Sequence, residues 1–271
     1  MFINLLPVKP VRELARNVRL RATIEPPDRA SSREAFSNGV KKAFLDLLFP
    51  IFCLGCKKEG TFLCIKCRDS LKHIPPSCIF CRKLSPPVRN VTAGRTCISC
   101  HKKSNIYGFI SPFSYDSSLI RDLVHGLKYN RIWSLGSILA GLIADYFFLY
   151  NIILPKESFL VPIPIHARRK RIRGFNQTEL IAENLGCILG IPVVTGILEK
   201  EKYTTPQVRL TGEERNKNVC NTFRIRRPEA IYHKTILLID DIKTTGATLE
   251  EVARILKEAG AKQIWAITVA H

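Results

Sequence analysis

Eight of the ten cysteines stand in four C-x-x-C pairs within 48 residues: Cys53/Cys56, Cys64/Cys67, Cys78/Cys81 and Cys97/Cys100. Two cysteines three apart can turn both thiolates toward one ion, and a second such turn completes a tetrahedral four-thiolate site. The segments between successive pairs, 7, 10 and 15 residues long, are too short and too poor in large apolar residues to build a core. Bound metal must therefore supply the folding free energy. Eight ligands make two structural zinc ions. Sequential pairing, first with second and third with fourth, is the expectation and gives two ribbons in tandem; interleaved pairing satisfies the same ligand count. Redox thiols or an iron–sulfur cluster are the competing readings. Cys187 and Cys220 stand apart and read as core residues.

Metal rather than disulfide chemistry follows from the expected compartment. The first residues meet Pro7 and Glu13 before an apolar core of signal-peptide length can form. The longest apolar stretch, residues 135–150, contains Asp145 and falls short of the roughly 20 residues of a membrane helix. A cytoplasmic protein with no membrane span is expected, and there thiols stay reduced. Lys and Arg number 42 against 23 Asp and Glu, a formal net charge of +19, so the surface attracts polyanions.

Three regions are expected. Residues 1–38, with Pro7, Pro10, Pro26 and Pro27, read as a poorly ordered basic extension. Residues 39–104 hold a short helix around residues 40–48 and the double ribbon. Residues 105–271 alternate strand and helix, which predicts an α/β domain with a mainly parallel sheet. Its expected elements are a β-prone stretch at 106–115, a helix N-capped by Asp116, and an apolar helix over 135–150. A strand at 159–161, a basic loop at 166–175 and a helix opened by a capping box of Asn176 and Glu179 follow. Then come a strand at 193–198, a polar stretch without period from 199 to 221, a strand at 235–239, a helix at 248–259 opened by Thr248 and Glu251, and a strand at 263–269.

The segment TILLIDDIKTTGAT, residues 235–248, carries the chemistry. An apolar strand ends in two acids, Asp240 and Asp241, and a small hydroxyl-rich loop leads into a helix. In open α/β sheets ligands bind at the carboxyl ends of strands. Such a loop offers N–H groups, hydroxyls and a helix dipole to phosphate. The spacing is neither G-x-x-x-x-G-K-[ST] nor G-x-G-x-x-G, which excludes a P-loop or a dinucleotide fingerprint. Two acids beside a phosphate loop suit the vicinal hydroxyls of a ribose 5-phosphate.

This segment resembles the phosphoribosyl pyrophosphate (PRPP) motif of type I phosphoribosyltransferases. The order of the cysteine array, SPFSYD (111–116), LKY (127–129), VPIP (161–164), RGFNQ (173–177) and the PRPP motif resembles the ComF family, also called ComFC, associated with competence for DNA uptake. The similarity covers residues 40–271. It implies a type I phosphoribosyltransferase-like parallel sheet flanked by helices, preceded by a small zinc-ribbon domain. It further implies that Asp240 and Asp241 meet the ribose hydroxyls, directly or through Mg²⁺ and water, and that Lys243, Thr244, Thr245, Gly246, Ala247 and Thr248 wrap the 5-phosphate. Residues 205–219 would form the mobile loop over the ligand, with Arg209, Arg215 and Lys217 reaching the pyrophosphate.

Arg168, Arg169, Lys170, Arg171 and Arg173 put five cations in six residues, a clamp suited to pyrophosphate or to the backbone of single-stranded DNA. Tyr129, Trp133 and Phe175 are the candidate stacking platforms, while His125 and His166 read as structural. Two function classes follow. One is a phosphoribosyltransferase that uses PRPP and Mg²⁺ on a small acceptor in nucleotide metabolism, for which no catalytic base stands out. The other, favoured by the charge and the ribbons, is a protein that handles single-stranded DNA during uptake, with the uptake machinery as partner and an intact PRPP site. The sequence leaves turnover, the acceptor and the oligomeric state open.

Overall fold

The computed structural model describes residues 50–85, 93–155, 157–202 and 221–271. The extension over 1–38, the helix around 40–48, residues 205–219 with Arg209, Arg215 and Lys217, and Cys220 lie outside them. The chain divides into two compact units, Met1–Asp69 and Ser70–His271.

In the first unit, Cys53, Cys56, Cys64 and Cys67 gather in one cluster, and a short helix α1 (Ile65–Asp69) carries the last of them. Cys53 accepts from the Cys64 amide through its sulfur, while its own amide donates to the Lys58 carbonyl. Lys57 turns the knuckle at φ 62°.

The second unit begins with the same device. Cys78, Cys81, Cys97 and Cys100 gather in a second cluster, with α2 (Ile98–His101) at its end. Cys97 N donates to Cys78 Sγ, Cys78 N to the Lys83 carbonyl, and Arg82 turns the knuckle at φ 59°. The two ribbons are thus local repeats in the sequential pairing that the spacing favours. The second one is built into its unit: Ile79 joins the hydrophobic core, and Ser104 and Asn105 bind the Glu250 carboxylate.

The main sheet has four parallel strands in the order β1 (Gly108–Ile110), β6 (Gln263–Ile267), β5 (Thr235–Ile239), β2 (Ser158–Pro162). Every residue of β5 is buried, as an interior parallel strand requires. Between β1 and β2 run α3 (Ser118–Tyr129) and α4 (Leu135–Leu149). After β2 come α5 (Ala167–Arg173) and α6 (Gln177–Leu189). A small antiparallel pair, β3 (Leu198–Lys200) and β4 (Phe223–Ile225), precedes β5. The last helix, α7 (Ala247–Glu258), leads into β6.

Strand alternation sorts the core. Ile236, Leu238, Ile264, Ala266 and Phe109 share a cluster with Leu249, Val252, Ala253 and Leu256 of α7. Helix α6 packs on β2 and β5, and α4 packs on α6. Gly108 is required by a close approach: a Cβ there would sit 2.3 Å from the fully buried ring of Trp265.

Several local expectations are corrected. The stretch 166–175 is largely helix, not loop. His166 caps it by accepting from Arg168 N, and Gly174 at φ 90° ends it. Its residues are good helix formers, so charge density misleads about backbone. Helix α3 is capped by Ser117, not Asp116, whose carboxylate takes the Ser114 hydroxyl. At α7 the N-cap is Gly246, with no side-chain cap; Glu251 instead binds Arg254 and the Asn221 amide. The strand expected at 193–198 is reduced to a bridge between Val193 and Leu160, and the true strand starts at Leu198. Cys187 is exposed because it lies off the buried stripe of α6.

Candidate functional site

All four parallel strands end on one side of the unit, and the residues that follow them form the site. After β5, Asp240 N bonds the Ile267 carbonyl and Lys243 N the Ala270 carbonyl, which fixes the loop start against the end of β6. Gly246 takes φ 87°, a left-handed turn suited to glycine, and a Cβ there would press on Lys243 Cε at 3.2 Å. Thr244 and Thr245 are exposed and Lys243 is buried. Thr245 Oγ1 accepts from Ala247 N, 3.3 Å away.

The two acids differ. Asp241 is buried and held: Lys128 Nζ lies 2.8 Å from Oδ1, and Gln177 Nε2 donates to Oδ2 at 2.8 Å. Gln177 in turn accepts from Arg173, whose guanidinium lies 5.7 Å from the Tyr129 ring centroid. Asp240 is only partly buried, and its Oδ1 accepts from Asp241 N at 2.9 Å. Desolvation, reinforced by the charge of Asp241, pushes its carboxyl up to about 7. Burial alone would lower Lys128, but the charge and hydrogen bond of Asp241 outweigh it, and the net shift is upward. Burial holds Arg173 below its usual range. Lys200 of β3 is lowered to about 8 by burial and by the charge of Arg169, and it feels Asp240 as well.

The segments LKY, RGFNQ and IDD therefore meet at Asp241. Lys128, Gln177 and Lys200 escape a reading of motifs because each belongs to an element distant in sequence from residue 240. The signal for the first two is their presence inside the LKY and RGFNQ segments. The rest of RGFNQ is architectural. Asn176 caps α6, and Asn176 Nδ2 and Thr178 Oγ1 both donate to the Ile163 carbonyl at the end of β2, at 3.1 and 2.6 Å. Phe175 is buried against Trp133, which corrects its reading as a stacking platform; Tyr129 and Trp133 are exposed.

The cationic stretch is the exposed helix α5 on the β2 side of the loop. Arg168 and Arg171 are exposed and Arg169 is half-buried. Lys170 bonds Glu179 at 3.0 Å, and Arg173 turns inward.

The cysteine clusters fit a metal. In each, the four sulfurs lie within 4.8 Å of one another, close to the separation of about 3.8 Å set by a tetrahedron of Zn–S bonds near 2.3 Å. Burial works against the Cys53 thiolate, but amides donated by Cys64, Cys56 and Gly55 win and bring it down to about 6. Cys78 falls to about 7 for the same reason. A buried sulfur primed to ionise is what a four-thiolate site needs.

A parallel sheet with flanking helices and two cysteine clusters consistent with zinc ribbons define a type I phosphoribosyltransferase-like fold with an appended cysteine-rich segment. Residues 175–271 match the family model described as phosphoribosyl transferase domain. Among curated proteins, the chain is similar to competence protein F of Haemophilus influenzae, 27% identical over 224 residues, 79% of this chain and 89% of that one. It is similar to DNA utilization protein YhgH of Salmonella typhi, 27% identical over 79% and 87% of the two chains. It is also similar to competence protein ComFC of Bacillus subtilis, 28% identical over 75% and 81%. These homologues, with the phosphoribosyl transferase domain, are consistent with the ComF family. Among the described residues no helix is long and apolar enough to cross a membrane.

Proposed function

We propose that the chain is a ComF-like protein that binds PRPP with Mg²⁺ and handles single-stranded DNA during DNA uptake, alongside the uptake machinery in the cytoplasm. One observation carries the reading: three separated segments converge on Asp241, beside a loop of the phosphate-binding type. That network presents Asp240 as the outer carboxylate toward ribose hydroxyls or a hydrated Mg²⁺, which takes one or two carboxylates together with substrate phosphates. Asp241 acts from behind, setting the loop. Lys243, Thr244, Thr245, Gly246, Ala247 and Thr248 cradle the 5-phosphate. Arg168, Arg169 and Arg171 on α5 contact pyrophosphate or DNA, and Arg209 and Arg215 are proposed for the same task on sequence alone. The excess charge and relatives named for competence and DNA utilization support the nucleic-acid half.

Two titrations on one variant test this. PRPP with Mg²⁺ raises the melting temperature of the wild type, since a ligand of the folded state stabilises it. Single-stranded DNA binds with affinity that falls steeply with salt. Replacing Arg168, Arg169 and Arg171 by Ala flattens the salt slope by up to about two units, at roughly 0.7 per contact on a single strand. An unchanged melting curve at saturating PRPP refutes the first half; indifference to single-stranded DNA at low salt refutes the second.

A further inference from the structure

A short, well-tied stretch of chain joins the second cysteine cluster to the helix that follows the phosphate loop. Cys97 and Cys100 are the last two cysteines of that cluster. His101 N donates to the Cys97 carbonyl at 2.8 Å and Lys103 N to the Cys100 carbonyl at 2.9 Å, so the turn that carries these sulfurs runs directly into Ser104 and Asn105. Thr96, just before Cys97, closes the other side. Its amide donates to the Tyr107 carbonyl at 2.9 Å, and its hydroxyl donates to the Ile106 carbonyl at 2.7 Å. Residues 96–107 are thus a loop pinned at its base, with two of the four sulfurs inside it.

The tip of this loop is bound by one carboxylate. Glu250 Oε1 accepts from the Asn105 amide at 2.7 Å and from Asn105 Nδ2 at 2.8 Å, and Oε2 accepts from the Ser104 hydroxyl at 3.0 Å. Glu250 stands in the first turn of α7, and its own amide donates to the Gly246 carbonyl at 2.9 Å. A bare carboxylate so near the start of the helix would compete with a phosphate for the helix dipole; here three donors occupy it. Packing adds to the tie. Ile79, between Cys78 and Cys81, shares the core cluster with Leu249 and Val252 of α7. Phe80 and Asn105 border one surface hollow with Thr245 and Gly246.

We infer that Glu250 is a positioning residue, which clasps the chain leaving the second cluster and thereby couples metal in that cluster to ligand in the phosphate loop. The inference rests on the reading of that loop as the seat of the 5-phosphate. With metal bound, Ser104 and Asn105 are held in place and the Gly246 turn is set before ligand arrives. Without metal, the 96–107 loop loses the bonds that fix its two sulfurs, and part of the ligand's binding free energy goes into ordering the clasp. Coupling is reciprocal, so PRPP must tighten the second metal by the factor by which that metal tightens PRPP.

Equilibrium competition of the zinc-loaded full chain against a zinc-selective chelator, with and without saturating PRPP and Mg²⁺, tests the clasp on the wild type. The release step that Cys81→Ser removes belongs to the second cluster, and the step that Cys56→Ser removes belongs to the first. PRPP should tighten the second cluster at least about fivefold, the low end of coupling between two sites, and shift the first by less than about twofold. Glu250→Ala should erase the difference. Glu250→Gln should keep most of it, because its oxygen still meets Asn105 and its amide can donate to the Ser104 hydroxyl. Equal shifts at both clusters, or none at the second in a protein whose melting temperature PRPP raises, overturn the clasp alone. A shift that survives Glu250→Ala overturns it as well. A wild type whose melting temperature ignores PRPP refutes the phosphoribosyl reading, and the coupling falls with it.

Discussion

Replacing Lys128 by Met removes the cation from Asp241 but keeps the apolar stem along α3. At 2.8 Å and an effective dielectric of about 20, the pair attracts by about 6 kcal/mol before desolvation. Desolvation of the two charges takes back part of that attraction. The hydrogen bond from Gln177 remains, so the expected loss is about 3 kcal/mol, within the range for breaking a buried pair. For a unit of this size that lowers the melting temperature by about 6–12 °C. The assay is urea unfolding of the metal-loaded protein at pH 7. Adding Asp241→Asn to Lys128→Met should recover most of the loss, since the amide still meets Gln177 and no charge is stranded. A single variant that loses less than about 1 kcal/mol, or a double variant no better than the single, refutes the coupling of these motifs through Asp241.

Purified protein should carry about two zinc ions per chain, and Cys81→Ser and Cys56→Ser should each release one of them, as read by metal analysis. The Asp240 carboxyl, held up to about 7 by burial and by Asp241, contributes stability that is present below the unfolded pKa and is lost as pH rises through about 7. Mg²⁺ and PRPP need the ionised form, so their affinity should rise across that window. Asp240→Asn should stabilise the unligated protein at pH 8 and flatten the pH dependence of binding, as measured by calorimetry. Gly108→Ala should cost about 1–3 kcal/mol by overpacking against Trp265, read as a lower urea midpoint with unchanged metal content.

Where short-range chemistry dictates structure, the sequence alone determines the outcome. Cysteines three apart must make knuckles, and successive pairs close the shortest loops, so spacing favours the sequential clusters, while the choice against interleaving comes from the structure. The apolar run 235–239 ending in two acids places a buried parallel strand and its loop, and strand–helix alternation sets the fold class. What no local pattern could decide is which distant groups meet. The two adjacent acids look alike in sequence, yet Lys128 from α3 and Gln177 from α6 occupy one and leave the other outward, because parallel strands bring their following segments to one edge. The helical character of α5 was masked by its charge, and its cap comes from a histidine beyond the basic run. Tertiary packing also decides which charges are buried without partners, since burial and counter-charge depend on neighbours that the chain's linear order does not reveal.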